Sequence, residues 1–433
     1  MKRLLNAMAM IVSLLIGSSG ISQTIVATPS SVLSDGTVAV TVTGLKPGEP
    51  VTIRSELADG ENKVWSAEAD FVADERGAVD LSRQAPEKGS YRGVSAMGLI
   101  WSMRPSQRET HIYRPPKDLQ PQIIKFSVIT EGKEGSSAML EELFLTNQVK
   151  QVRLDGALHG TFFVPIGAAK HAAVLVVGGS EGGTPVSKAA WLASHGYPSL
   201  ALAYFGSQGL PQKLEKIPLE YFGQALSWLT QRPEVDKDRL AVMGTSRGGE
   251  LALELGSLYP IVHAVVAYVP ANVRYPACCG GARGAAWTLK GLPLAYALPG
   301  RNRTVASIQP MALIPVEQTH GPILLISGRS DGIWPSSDMT NDVARRLRQD
   351  HFAFEVDRLD YPHAGHRAGL PQIIPAWSSG VTHPVSGATE DYGGTPEGNA
   401  ASSLDAAPKV LEFLDKAFTS SIIGPSASGL DSR

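Results

Sequence analysis

The stretch Arg239-Leu-Ala-Val-Met-Gly244-Thr-Ser246-Arg-Gly248-Gly-Glu-Leu-Ala-Leu253 decides the fold: an apolar strand runs into Gly-Thr-Ser-Arg-Gly and straight out into an amphipathic helix. That is the sequence form of a nucleophile elbow, a sharp strand-to-helix turn that lifts a serine hydroxyl above a sheet edge and aims the next backbone N–H at the reacting oxygen. A side chain at Gly244 or Gly248 is expected to collide with the strand and helix that meet there. The pentapeptide alone is weak, since this glycine and serine content gives about 0.4 matches by chance. Gly178-Gly-Ser180-Glu-Gly182 and Gly328-Arg-Ser330-Asp-Gly332 match as well, so context must choose. After Ser180 the helix begins at Thr184-Pro185, and after Ser330 at about Ser336. Only Ser246 is followed at once by a helix, with Leu251, Leu255 and Leu258 on one face.

Outward from the elbow, the rhythm past about Gly156 is strand, turn, helix. Apolar runs Ala172 to Val177, Ser199 to Ala203, Leu240 to Met243, Val262 to Val269, Ile323 to Ile326 and Phe354 to Leu359 read as buried strands. Between them lie amphipathic stretches such as Leu219 to Thr230, with Phe222, Leu226 and Leu229 on one side. This alternation predicts an α/β domain over 150–420, a mostly parallel, doubly wound sheet covered on both faces. The Gly-, Pro- and Arg-rich stretch from Tyr275 to Gln318 interrupts it, and a segment that long is expected to cover a site or to be loosely ordered. Earlier in the chain, over 23–145, short alternating runs are broken by turn residues: Val38 to Thr43, Val51 to Leu57, Trp65 to Val72 and Ala78 to Leu81. Strands so closely spaced predict an antiparallel, immunoglobulin-like β-sandwich. Gln122 to Ile129 and Val149 to Asp155 either complete it or bridge to the next domain.

With 433 residues, a formal net charge of −2 and 43% hydrophobic residues, the chain is large enough for two domains, and nothing in the balance points to nucleic acid. Residues 1–22 read as a secretory signal peptide: Lys2 and Arg3, an apolar run from Leu4 to Ile16, then small residues up to a cleavage point near Ser22. The apolar run is shorter than the roughly 20 residues a membrane span needs, so an exported protein without a stable anchor is expected. Cys278 and Cys279, the chain's only cysteines, are adjacent, which excludes a disulfide framework and makes a poor metal site. No metal and no other cofactor is expected. Residues 421–433 are small and polar, and a disordered tail is expected.

A serine hydrolase of this topology needs an acid and then a histidine, each past the carboxyl end of a later strand. Asp331 follows the strand at Ile323, and Tyr361-Pro-His363-Ala-Gly-His366 follows the next. His366 is preferred to His363, because Gly365 lets the loop fold back while His363, beside Pro362, sits in an extended approach. Ser246 is thus the expected nucleophile, His366 the base and Asp331 the acid that holds the imidazole. Oxyanion donors are expected from the backbone N–H of Arg247 and from Ser180 or Glu181 in the glycine-rich loop. That loop lacks the lysine a phosphate cradle would carry.

These residues bring out a specific resemblance. Gly44-Leu-Lys-Pro-Gly-Glu-Pro-Val-Thr-Ile53, Met97-Gly-Leu-Ile-Trp-Ser-Met103, Ala201-Leu-Ala-Tyr-Phe205, Leu219-Glu-Tyr-Phe222, Gly244 to Leu251, Tyr361 to His366 and Gly393-Gly-Thr-Pro396 are similar to the acyl-CoA thioesterase and bile acid-CoA:amino acid N-acyltransferase family. The resemblance implies an α/β-hydrolase fold, a triad on Ser246, Asp331 and His366, and cleavage of an acyl thioester to a free acid and a thiol. The acyltransferase branch uses a cysteine nucleophile, so Ser246 points to the hydrolytic branch. After the histidine the family usually carries an acidic residue and paired prolines, where this chain has His366-Arg-Ala-Gly-Leu-Pro371. Acyl-CoA is a cytoplasmic metabolite, so an exported member meets other esters or thioesters. The alternatives are an exported carboxylesterase, dienelactone-type hydrolase or peptidase with the same triad, and a non-enzymatic exported binding module.

Overall fold

Eight strands of the catalytic region form one sheet, here numbered β1 (Val149–Asp155), β2 (His159–Pro165), β3 (His171–Val177), β4 (Ser199–Ala203), β5 (Val235–Thr245), β6 (Ala264–Tyr268), β7 (Ile323–Gly328) and β8 (Val356–Tyr361). They come from a computed structural model that describes residues 23–106, 113–167, 169–298 and 310–420. The expected signal peptide, the expected tail and part of the Tyr275 to Gln318 stretch lie outside the described residues. Across the sheet the order is β1-β2-β4-β3-β5-β6-β7-β8, with β1–β2 and β2–β4 antiparallel and every other pair parallel.

Helices cover both faces because the apolar strands present hydrophobic side chains alternately to each. Ala173, Leu175 and Val177 of β3 face α2 (Leu219–Thr230), α3 (Arg247–Leu258) and α4 (Ser336–Gln349) in one core. Val174 and Val176 face the opposite core with α1 (Val186–Ser194) and α5 (Pro396–Ser420). Phe222, Leu226 and Leu229 are buried on α2, where each large apolar side chain contributes roughly 1.5–3 kcal/mol. This is an α/β-hydrolase architecture, with the elbow on the strand-to-helix turn between β5 and α3.

Several elements differ from the sequence reading. The last strand is Val356–Tyr361 rather than a buried Phe354 to Leu359, and it is only half-buried because it forms the sheet edge, where Asp357, Arg358 and Asp360 are tolerated. Val149–Asp155 is the opposite edge of this sheet and not part of the N-terminal region. α1 starts at Val186, with Pro185 preceding it and no side-chain cap. The 25-residue helix α5 was not legible, because its Pro408 and its many small residues mask the period. The long excursion after β6 carries the short strands Trp287–Leu289 and Leu292–Pro293, and the first of these pairs with Ile217–Pro218. Arg274 ties it down, donating to both carboxylate oxygens of Glu254 at 2.8 and 2.9 Å and to the carbonyls of Met311 and Leu313.

The N-terminal region forms a three-stranded sheet (Thr24–Thr28, Ala39–Thr43, Val79–Asp80) and a seven-stranded one whose longest strands are Pro50–Ala58, Val64–Val72, Gln122–Thr130 and Lys133–Leu143. Alternate residues of each sheet, such as Ile25 and Val42 in one and Ile53, Trp65 and Phe126 in the other, meet in a common core. Pairing is not antiparallel throughout, since Ser31–Leu33 runs parallel to residues 141–143. That core continues without a break into the α1 and α5 face of the catalytic sheet. Polar bonds pin the junction: the Asp35 carboxylate accepts from Trp191 Nε1 at 2.9 Å and lies 2.8 Å from His195 Nε2. The backbone N–H of Ala376 donates to the carbonyl of Trp101 at 2.9 Å.

Burial pushes the Asp35 carboxyl upward, but the His195 and Trp191 hydrogen bonds outweigh it and hold the pKa below its ordinary value of 3.8. A carboxylate depressed in the fold stabilises it above the unfolded pKa, and that contribution is lost as pH falls through the lower folded value. Asp35→Ala is therefore expected to cost about 1.5–3 kcal/mol in urea unfolding at neutral pH. The difference from the parent should shrink once the pH drops below about 4; parallel curves at all pH values would refute the assignment.

Candidate active site

The turn after β5 is made by backbone contact. A Cβ on Gly244 would lie 1.9 Å from the carbonyl oxygen of Gly248, and one on Gly248 would lie 2.3 Å from that of Gly178 on the neighbouring strand's loop. With both positions bare, the chain reverses at Ser246 with φ 59° and ψ −120°, a left-handed conformation unusual for a residue with a side chain. The Ser246 N–H donates to the Tyr268 carbonyl at 2.9 Å, and the Glu250 N–H donates to the Ser246 carbonyl at 3.0 Å. These two bonds hold the strain in place.

The three residues separated in sequence meet at the carboxyl ends of β5, β7 and β8. His366 Nε2 lies 2.8 Å from Ser246 Oγ, and Nδ1 lies 3.0 and 2.9 Å from the Asp331 oxygens. The Asp331 side chain is fully buried, and Ser246 and His366 are 8% and 7% exposed. Asp331 Oδ1 also accepts the N–H groups of Ile333 at 2.9 Å and Trp334 at 3.2 Å. A carboxylate so fixed acts as acceptor toward the ring, which puts the ring proton on Nδ1 and leaves Nε2 free to take one from Ser246. The rings of Trp334 and Tyr392 pack edge-on against the imidazole, with centroids at 5.1 and 5.8 Å, and the His366 N–H donates to the Tyr392 carbonyl at 2.7 Å. His363 is exposed.

The other two Gly-x-Ser-x-Gly matches lack such a base. Ser330 is exposed and its hydroxyl donates to the Pro362 carbonyl at 3.0 Å. Ser180 Oγ lies 3.0 Å from Nε2 of His383, whose Nδ1 accepts from the N–H groups of Val385 and Ser386, both at 3.2 Å. That fixes the opposite tautomer, so His383 donates to Ser180 and cannot take its proton. The sequence reading missed His383, since nothing in Val381-Thr-His-Pro marks it.

Ser246, His366, Arg247, Ser180 and Glu181 line one cavity of about 560 Å³. Tyr275, Pro276, Cys278 and Cys279 line it too, so the near end of the excursion forms part of its wall, and Tyr113, Arg114 and Pro115 enter from the N-terminal region. The glycine-rich loop is shaped by Tyr204, whose hydroxyl donates to the Gly178 carbonyl at 2.7 Å, and by Glu181, whose carboxylate accepts the Gly179 N–H at 3.1 Å. Cys278 and Cys279 are free thiols. Among the described residues no cluster of His, Cys, Asp and Glu is arranged to hold a metal, and no helix is long and apolar enough to cross a membrane.

Comparison with known proteins gives the family. The model described as the acyl-CoA thioester hydrolase/BAAT N-terminal region matches residues 35–156, and the BAAT/acyl-CoA thioester hydrolase C-terminal model matches residues 217–277 and 292–420. The chain belongs to this family. It is an enzyme, in keeping with its relatives. Acyl-coenzyme A thioesterase 1 of Rattus norvegicus is 30% identical over 396 residues, covering 88% of this chain and 93% of the relative. Acyl-coenzyme A thioesterase 6 of Mus musculus is 29% identical over the same length, with the same coverage of each chain. Among solved structures, a dienelactone hydrolase-like promiscuous phosphotriesterase from metagenomic libraries is 17% identical, covering 62% of this chain and 98% of that one at a TM-score of 0.39. That likeness is too remote to carry an inference.

Next to Ser246, the Arg247 guanidinium is bound on several sides. It donates to the carbonyls of Pro276 and Tyr275 at 2.9 and 3.0 Å and pairs with the fully buried Glu250, which also accepts Trp287 Nε1 at 2.7 Å. Burial pushes Glu250 up to about 7 despite the pull of Arg247. A carboxyl whose pKa is raised in the fold stabilises it fully below the unfolded value of about 4.5, and that share is lost as pH rises through about 7. The parent should therefore lose stability relative to Glu250→Gln between about pH 5 and pH 8 in urea titrations. An unchanged difference across that window would mean that Glu250 stays ionised throughout.

Proposed function

We propose that the protein hydrolyses acyl thioesters of the acyl-CoA type to a free acid and a thiol, through an acyl-serine formed on Ser246. The observation that carries this reading is the hydrogen-bonded chain from Ser246 Oγ through His366 to Asp331, standing in a family of thioester hydrolases. His366 Nε2 takes the Ser246 proton as Oγ attacks the acyl carbonyl, and Asp331 stabilises the imidazolium that forms. The same proton then goes to the leaving thiolate. Water, activated in its turn by His366, attacks the acyl-serine and releases the acid. The tetrahedral oxyanion is received by the backbone N–H of Arg247 and by that of Ser180 or Glu181, each such donor being worth about 2.7–4 kcal/mol of barrier.

On this reading the two N-terminal sheets are an immunoglobulin-like sandwich that closes one side of the cavity with Tyr113, Arg114 and Pro115. Export through residues 1–22 is part of the proposal, and it makes the leaving group of the natural substrate a matter for assay rather than analogy.

Ser246→Ala should abolish turnover of butyryl-CoA and labelling by a fluorophosphonate while leaving the melting temperature near that of the parent. Asp331→Asn should lower kcat by about 10⁴ by presenting the wrong imidazole tautomer. Hydrolysis of p-nitrophenyl butyrate without hydrolysis of any thioester would replace the thioesterase reading with a carboxylesterase.

A further inference from the structure

The charges on the cavity wall are unevenly paired. Arg367, next to His366, is 8% exposed and lines the cavity, yet its guanidinium donates only to the carbonyls of Pro375 at 3.5 Å and Trp377 at 3.3 Å. Among the described residues it has no carboxylate partner. Lys188, on α1, lines the same cavity, and its Nζ donates to Thr245 Oγ1 at 2.6 Å, one residue before the nucleophile. Its ammonium sits 5.8 Å from the Tyr268 ring centroid. Arg114 enters from the N-terminal region, with its nearest carboxylate, Glu61, 4.0 Å away, the outer limit of pairing.

These cations repel one another. Burial draws Lys188 down to about 8 and Arg367 to about 10; the charge of Arg367 adds to the first shift and that of Arg114 to the second, while Glu181 opposes the shift at Lys188. Of the two carboxylates on the wall, Glu181 offsets part of the charge at Lys188, and Glu390 stands beside the Cys278–Cys279 end; among the described residues neither pairs with Arg367 or Arg114. Arg247, the remaining cation of the lining, is already matched by Glu250. Holding like charges together where burial reduces their solvation is unfavourable unless an anion joins them. A guanidinium presenting a planar fork of donors suits a carboxylate or a phosphate.

We propose that Arg367, with Lys188 and Arg114, forms an anion-binding subsite of the cavity that receives an oxyanionic group of the substrate. Two sources offer that chemistry, a carboxylate at the far end of a short acyl chain and a phosphate of the leaving group. The inference rests on the hydrolase reading above and adds the substrate's charge to it.

The test measures kcat/KM for succinyl and butyryl thioesters, each on coenzyme A and on N-acetylcysteamine, which carries no phosphate. If the acyl carboxylate is the ligand, the parent prefers succinyl over butyryl at least tenfold on both thiols, mainly through KM. Arg367→Gln lowers that ratio at least tenfold, and Arg367→Lys restores part of it. If a phosphate is the ligand, the preference for coenzyme A over N-acetylcysteamine is the ratio that falls instead. Arg114→Gln, on a separate element and only half-buried, should move the same ratio in the same direction, so that misfolding of an Arg367 variant does not decide the matter. Ratios that stay within twofold in all variants overturn the subsite. Should the parent cleave p-nitrophenyl butyrate but no thioester, the thioesterase reading fails by itself, and the subsite is then judged by the same ratio for the p-nitrophenyl ester of succinate against that of butyrate.

Discussion

The whole site hangs on the close approach of bare backbone around Ser246. Gly244 meets the first turn of α3, and Gly248 meets the end of β3; neither contact leaves room for a Cβ. Only with the strand, the helix and the glycine-rich loop drawn this tightly together can Ser246 sit in the left-handed region, where its hydroxyl leaves the sheet rather than entering it. Such a conformation costs of order 1–3 kcal/mol and persists because its surroundings over-determine it. Here the surroundings are the apolar strands β3, β5 and β6, buried throughout the segments that flank the turn, so the sheet core keeps the reactive geometry fixed.

The same approach sets the electrostatics. Asp331 and His366 reach Ser246 because β5 to β8 run in parallel register, Thr245 opposite Tyr268, Tyr268 opposite Ile326 and Gly328 opposite Tyr361. The buried carboxylate is acceptable because it takes two backbone N–H groups besides the ring nitrogen, which meets the requirement that a buried charge be fully hydrogen-bonded. One chain of contacts therefore links the glycines, the serine's backbone and the histidine's tautomer.

What the sequence made legible follows from how strongly each element is constrained from within. Ser199 to Ala203 and Leu219 to Thr230 were read with the bounds they have, because a wholly buried strand and a one-faced helix carry a dense apolar period. Ser246 could be named because a helix follows it at once, Asp331 because it stands just past a buried strand, and His366 because Gly365 precedes it in the loop after the next strand. Elements stabilised by neighbours rather than by their own pattern were misread or missed. The edge strand Val356–Tyr361 has a polar composition, the parallel pairing of Ser31–Leu33 depends on a distant strand, and α5 is rich in small residues and contains Pro408. The cavity wall was the least legible part. Lys188, Arg367 and Arg114 come from three separate segments, and nothing local to any of them announces a shared cavity.

The neighbours of the nucleophile in sequence are treated unequally. Arg247 on one side is engaged by Glu250 and by the carbonyls of Tyr275 and Pro276. Thr245 on the other side is held by the ammonium of Lys188, which also faces the Tyr268 ring and feels the charge of Glu181. Lys188 of α1, Arg114 of the N-terminal region and Arg367 of the histidine loop all line the cavity that holds Ser246 and contribute positive potential to it. A field of that sign favours negative charge on whatever lies within the cavity. The N-terminal region thus adds Arg114 to the cavity wall as well as apolar side chains to the common core.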